Sequence, residues 1–270
     1  MFIKKFLTAI FILCVYYINA QTKNLVVTVD KPIASIQPTM WGVFFEDINM
    51  GADGGIYAEL IKNRSFEFFR PLMGWKIEQK PAEEGTVLIQ NRTGINTANP
   101  RFARISVKNR RKGSLTLTNE GFRGIGIKRS LRYDFSVLYR LIEGNVKMHL
   151  ELLNAQDEVI GATELSPENG TKEWKKLETS FKADQTEKKG SFRISFEGNG
   201  IIDLDMISLF PEDTWKRRPG GMRADMVQML ADMKPGFVRF PGGCIVEGFD
   251  LSQRYQWKKT VGPVDERQLI

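Results

Sequence analysis

Apolar and polar positions along the chain fall into two textures. Near the start, a β-branched run from Asn24 to Val29 predicts a strand. After the turn at Gln37-Pro38, the continuous apolar run Met40 to Phe45 predicts a second strand, buried on both faces and ended by Glu46-Asp47. A glycine-rich turn, Gly51 to Gly55, follows, and the spacing of Tyr57, Leu60 and Ile61 predicts helix over Ile56 to Ile61. From about Leu72 to Phe210 the texture changes to short strands separated by Gly, Asn, Asp and Lys turns. These are Thr86 to Gln90, Phe102 to Val107, Ser114 to Thr118, Tyr133 to Leu141, Val146 to Leu153, Trp174 to Phe181, Ser191 to Phe196 and Ile201 to Leu209. Such spacing predicts an antiparallel β-sandwich of the jelly-roll type.

After Pro211 the first texture returns. Met222, Met226, Val227, Leu230 and Met233 recur at helical intervals, and Lys234-Pro235-Gly236 supplies the stop. A short apolar strand, Phe237 to Phe240, is then cut off by Pro241-Gly242-Gly243. Strand, helix, strand is the repeating unit of a parallel sheet. The predicted fold class is therefore mixed: the start of a (β/α)8 barrel interrupted by the sandwich. A whole barrel takes ~250 residues, and the residues left outside the sandwich supply about two of its eight strands, so the barrel is incomplete and open-edged. The expected divisions are 1–20, a leader; 21–71, the first barrel piece; 72–211, the sandwich; and 212–270, the barrel continued.

The leader is read from Lys4 and Lys5, the apolar run Phe6 to Ile18 and the small residue Ala20, with the mature chain starting at Gln21. That run is too short for the ~20 apolar residues of a membrane-spanning helix, so cleavage and export to the periplasm or cell exterior are expected, with no membrane attachment afterwards. Cys14 falls inside the leader, behind a Leu13 bulkier than lipoprotein signals place there, and only Cys244 remains. An internal disulfide is thereby excluded. The net charge of +7 sits in clusters such as Arg110 to Lys112 and Lys216 to Arg218, beside Gly or Pro, without the stacking aromatics of a nucleic-acid platform. No nucleic-acid partner is expected.

Two places stand out for chemistry. Glu46 closes a buried strand, where it is either an active-face carboxylate or a cap at the strand exit. In Arg239-Phe240-Pro241-Gly242-Gly243-Cys244, the glycines either admit a ligand close to the backbone or make an ordinary tight turn. Cys244 lacks the base that a thiol nucleophile needs, because the one histidine, His149, sits mid-strand in the sandwich. Neither cysteine catalysis, a metal site nor a cofactor is expected. Asp203 and Asp205 fall short of the six or more oxygens of a calcium site, and Tyr133, Tyr139 and Trp174 either stack on sugars or fill the sandwich core.

Taken together, Met40 to Asn49, Gly54 to Glu67, Met222 to Asp225, Lys234 to Gly248 and Trp257 to Pro263 resemble α-L-arabinofuranosidases of glycoside hydrolase family 51. The inserted block, with Ile201 to Pro211 as its last strand, is similar to carbohydrate-binding modules of families 4 and 9, a galactose-binding-like sandwich. The family resemblance implies a retaining hydrolase that removes terminal α-L-arabinofuranosyl groups from plant polysaccharides with an acid/base and a nucleophile glutamate ~5 Å apart. It places both glutamates on later barrel strands, so no catalytic residue is expected in these residues and the chain alone is expected to be inactive. It further implies that Glu46 hydrogen-bonds hydroxyls of the sugar ring and that Gly243 and Cys244 line the bottom of that subsite. The implied partner is an arabinose-containing polysaccharide or oligosaccharide, and the full-length enzyme is expected to form a homo-oligomer. The alternative is a carbohydrate-binding or structural sandwich protein without catalysis.

Overall fold

The computed structural model describes residues 23–79, 85–92, 94–108, 112–168 and 173–268, so the leader, Cys14 and Arg110 lie outside the described residues. Residues up to Met40 form a unit of their own. Its described part is irregular apart from the 3-10 turn Pro38–Met40. The strand expected over Asn24 to Val29 is not formed, and Leu25, Val26, Val27 and Val29 are exposed. β-branched residues favour a strand through packing on a neighbour, and without one their preference decides nothing.

From Trp41 onward the elements are β1 (Val43–Phe44), β2 (Trp75–Gln79), β3 (Gly85–Gln90), β4 (Phe102–Val107), β5 (Leu115–Asn119), β6 (Ile125–Ile127), β7 (Arg132–Leu153), β8 (Val159–Leu165), β9 (Lys175–Lys182), β10 (Glu187–Pro211), α1 (Ala224–Asp232) and β11 (Val238–Arg239). β2 to β10 make one nine-stranded antiparallel sheet, nearly closed on itself. Its spine is the pairing of β7 with β10, strands of 22 and 25 residues, from Ser191↔Leu153 to Pro211↔Tyr133. The first half of β10 carries β5 and then β2, while its second half carries β4 and then β3. β7 in turn pairs its second half with β8 and its first half with β9. The sheet thus has two wings that share both long strands.

Where the wings meet, Gly198 has φ +119°, and a side chain there would strike the Asn145 carbonyl oxygen. Glycine permits the strand to bend at that point. Sequence reading split each long strand in two because these polar, glycine-containing bends look like turns: Glu143 to Asn145 in β7 and Gly198 to Gly200 in β10. Alternate residues of both wings face one core, including Phe192, Ile194 and Phe196 of β10, Met148, Leu150 and Leu152 of β7, and Ile202 and Leu204 beyond the bend. Each such side chain contributes about 1.5–3 kcal/mol by leaving water. Tyr133 and Tyr139 belong to this core and present no ring to solvent.

The helix expected over Ile56 to Ile61 is absent. Backbone N–H groups there bond outside any helical ladder: Ile56 to the Gly51 carbonyl, Tyr57 to Ala52, Ala58 to Gly221 and Leu60 to Leu209. Glu59, fully buried, accepts from Ile61 N at 3.0 Å, Leu209 N at 2.9 Å and Ser208 Oγ at 2.6 Å, with Arg64 at 3.3 Å. Burial pushes the Glu59 carboxyl above its ordinary range, against the pull of Arg64 and these donors. The segment is a strap bonded to β10, and tertiary hydrogen bonds override its helical spacing. The later helix is present as α1, within the predicted stretch.

Candidate functional site

β1 and β11 pair in parallel, Val43↔Val238 and Phe44↔Arg239, although nearly two hundred residues separate them in sequence. The hydrogen bonds extend past the two formal pairs. Val43 N donates to Phe237 O at 2.9 Å, Phe45 N to Arg239 O at 2.9 Å, Asp47 N to Pro241 O at 3.3 Å, and Gly236 N to Trp41 O at 3.0 Å. This ladder brings the two sequence-predicted places side by side, because Glu46 and the Pro241-Gly242-Gly243 turn leave the same end of the pair. The expected burial on both faces is not found: Phe44 and Val238 are exposed, because burying a strand's faces takes layers packed above and below it.

The two readings of Glu46 are separated by its neighbour. Asp47 is the residue that caps the turn, accepting from Ala52 N at 3.0 Å, while Gly51 N bonds to Ile48 O at 2.9 Å. Asn49 and Met50 in this turn take positive φ. Among the described residues the half-buried Glu46 carboxylate has no hydrogen-bond or ion-pair partner. A side chain built at Gly243 would lie 3.6 and 3.8 Å from its two oxygens, so the carboxylate is directed across that glycine. Gly243 immediately precedes the one-turn helix Cys244–Glu247, and Cys244 is an exposed free thiol. Around this end, Phe45 packs on Phe240 with ring centroids 5.6 Å apart, and the Arg239 guanidinium lies 4.9 Å from the Phe44 ring centre.

Such an arrangement offers an unpaired acceptor with two oxygens beside bare backbone, suited to gripping hydroxyl groups. The one histidine, His149, lies instead in β7, buried between Glu197 at 2.7 Å and Glu164 at 3.0 Å. Glu59, the buried carboxylate of the strap, uses its oxygens on Ile61 N, Leu209 N, Ser208 Oγ and Arg64. The sequence placed Gly242 in the candidate turn but did not distinguish it from Gly243; it is buried, has φ +144° and lies against Glu46. Its only signal was the Gly-Gly doublet, which does not say which glycine is crowded.

The sequence profile described as the alpha-L-arabinofuranosidase 1 domain matches residues 229–270. An extracellular exo-α-L-arabinofuranosidase of Streptomyces chartreusis is 38% identical over 263 residues, covering 89% of this chain and 30% of that protein. α-L-Arabinofuranosidase 1 of Arabidopsis thaliana is 32% identical over 241 residues, 86% of this chain and 35% of that protein. An arabinose-bound family 51 α-L-arabinofuranosidase superposes with a TM-score of 0.77 at 29% identity, over 88% of this chain and 39% of that one. The chain is therefore homologous, across nearly all its length, to α-L-arabinofuranosidases of glycoside hydrolase family 51. It spans about a third of the length of the curated relatives it matches.

Proposed function

We propose that the chain is the N-terminal portion of a retaining α-L-arabinofuranosidase that removes terminal α-L-arabinofuranosyl groups from plant polysaccharides. The observation that carries this reading is the parallel pairing of β1 with β11, which sets an unpaired Glu46 carboxylate against Gly242 and Gly243. In this reading the pair is the first two staves of a (β/α)8 barrel, residues 21–71 and 212–270, and Glu46 stands at their C-terminal end, where barrel enzymes build their sites. Residues 72–211 are a jelly-roll module inserted between the staves. Glu46 accepts from sugar hydroxyls, while Gly243 and Cys244 form the floor beneath the ring.

Chemistry at the anomeric carbon requires two carboxyl groups ~5 Å apart, one protonating the leaving oxygen and the other forming the glycosyl-enzyme. Glu46 is neither of these; it orients the sugar. The leader, together with the extracellular name of the Streptomyces relative, supports export, and among the described residues no helix is long and apolar enough to cross a membrane. A homo-oligomer of the full-length enzyme remains part of the proposal. Its test is arabinose release from 4-nitrophenyl α-L-arabinofuranoside by the polypeptide continued to the length of its relatives. Turnover is expected there and not from the 270-residue chain; a full-length protein that releases no arabinose would sink the assignment.

A further inference from the structure

We propose that Gly242 is a positioning residue, whose bare backbone sets the side-chain direction of Glu46 and so the height of its carboxylate above the sugar floor. The proposal rests on the assignment of Glu46 as a sugar-binding residue. It starts from the packing at one point of the β1/β11 wall. Gly242 is buried, and a Cβ on it would fall 2.7 Å from Glu46 Cγ and 3.0 Å from Glu46 Cα and Cβ. Contacts that short cannot be absorbed by a flexible tip, because two of the three atoms are at or next to the Glu46 backbone.

The backbone of Gly242 is held as well. Its φ of +144° is open to glycine and strained for any L side chain, and the preceding residue, Pro241, accepts from Asp47 N at 3.3 Å. Residues 241 and 242 thus bracket Glu46 from one side, with a hydrogen bond to the residue after it and van der Waals contact on its side-chain stem. Gly243 is different. A Cβ there would sit 3.5 Å from the Phe44 ring and 3.6 Å from the nearer Glu46 oxygen, which is ordinary contact. The doublet therefore divides its work: Gly242 fixes the stem of Glu46 and Gly243 leaves room above its carboxylate. A carboxylate with no protein partner has nothing else to hold it, so the wall behind its stem is what selects its rotamer.

The test uses the full-length polypeptide and three variants, Gly242→Ala, Glu46→Ala and the pair together, with crystal structures of the first. Gly242→Ala is expected to turn the Glu46 side chain away from Gly243 and to raise KM for the nitrophenyl arabinofuranoside about tenfold or more with a smaller change in kcat, the pattern of lost sugar binding. The double variant is expected to be no worse than Glu46→Ala alone, since both act through one carboxylate. A Gly242→Ala enzyme with unchanged Glu46 position and KM, beside a Glu46→Ala enzyme with raised KM, overturns the positioning role. A Glu46→Ala enzyme with the parent KM overturns instead the sugar-binding assignment on which it rests. Should Gly242→Ala fail to fold, crystal structures of the parent and of Glu46→Gln decide instead: the side chain at position 46 is expected to keep the same direction against Gly242 in both, and a different rotamer in Glu46→Gln, which has the same stem, overturns the proposal.

Discussion

The nine-stranded sheet and the β1/β11 pair both carry large apolar side chains, which end in opposite states. In the sheet, Phe192 and Leu204 have no exposure, and the long strands of the spine have neighbours on both sides. In the pair, Phe44 is 50% exposed, Val238 62% and Phe240 57%. α1 presents Met229, and the residue that caps its end, Met233, to solvent in the same way. The difference lies in whether other elements pack over a strand's faces. Hydrophobic pattern states what a segment can bury, while burial itself requires a surface on each side. The sheet closes its own core within the described residues, whereas the pair leaves large apolar side chains exposed. The candidate site belongs to the less buried of the two regions.

Three experiments sharpen or break this contrast. The largest effect is expected from Phe192→Ala in the sheet, where a fully buried ring packs 5.5 Å from Phe135. Emptying that position is expected to cost about 3–5 kcal/mol in urea unfolding; a loss under about 1 kcal/mol would mean that the sheet is no better packed than the pair.

A smaller effect, of opposite sign, is expected at Asp205. Its Oδ1 accepts from Met206 N at 2.7 Å, but Oδ2 is buried with no partner among the described residues. Burial, with Glu67 and Asp265 nearby, pushes its carboxyl well above the ordinary 3.8. A carboxyl whose folded pKa is raised binds its proton more tightly in the folded state. Its favourable contribution is complete below about pH 4 and is lost as pH rises through the folded value. Asp205→Asn removes the ionisable group and is expected to stabilise the chain at pH 7, relative to its effect at pH 4, by about 1 kcal/mol or more, because the parent must take up a proton or bury an ionised carboxylate in order to fold. The gain should close as pH falls toward 4, and thermal unfolding at the two pH values reads it; a gain independent of pH would contradict the burial argument.

The smallest effect belongs to the pair. Phe240→Ser removes an exposed ring and is expected to change the unfolding of the sheet by no more than about 0.5 kcal/mol. A cost of several kcal/mol would show that the wall and the sheet unfold as one body.

Legibility in the sequence followed the same division. Strands β3, β4, β5 and β9 were readable to within about one residue, because each alternates apolar and polar positions on a half-buried surface. α1 was readable from its methionine and leucine spacing and its Pro-Gly stop. β2, β6 and β8 were not recognised: β6 is only three residues long, and β8, with the sequence VIGATEL, has a glycine and a small residue at its centre. At the site, the residue types at 46, 243 and 244 were readable, but the choice between ligand and cap at Glu46 was not. The structure gives the cap to Asp47, whose carboxylate takes the turn's N–H; the ligand role of Glu46 is the proposal made above.

Sequence by itself determined the local periods, the helix stop, the glycine doublet and the family likeness, since these depend on residues near one another or on long shared patterns. Only the tertiary structure decided that Asn24 to Val29 stays out of a sheet, that Ile56 to Ile61 becomes a strap, and that Gly242 crowds Glu46. Each of those outcomes turns on hydrogen bonds or contacts between residues far apart in the chain. Their free energy is absent from any short window of sequence and appears when the partner arrives.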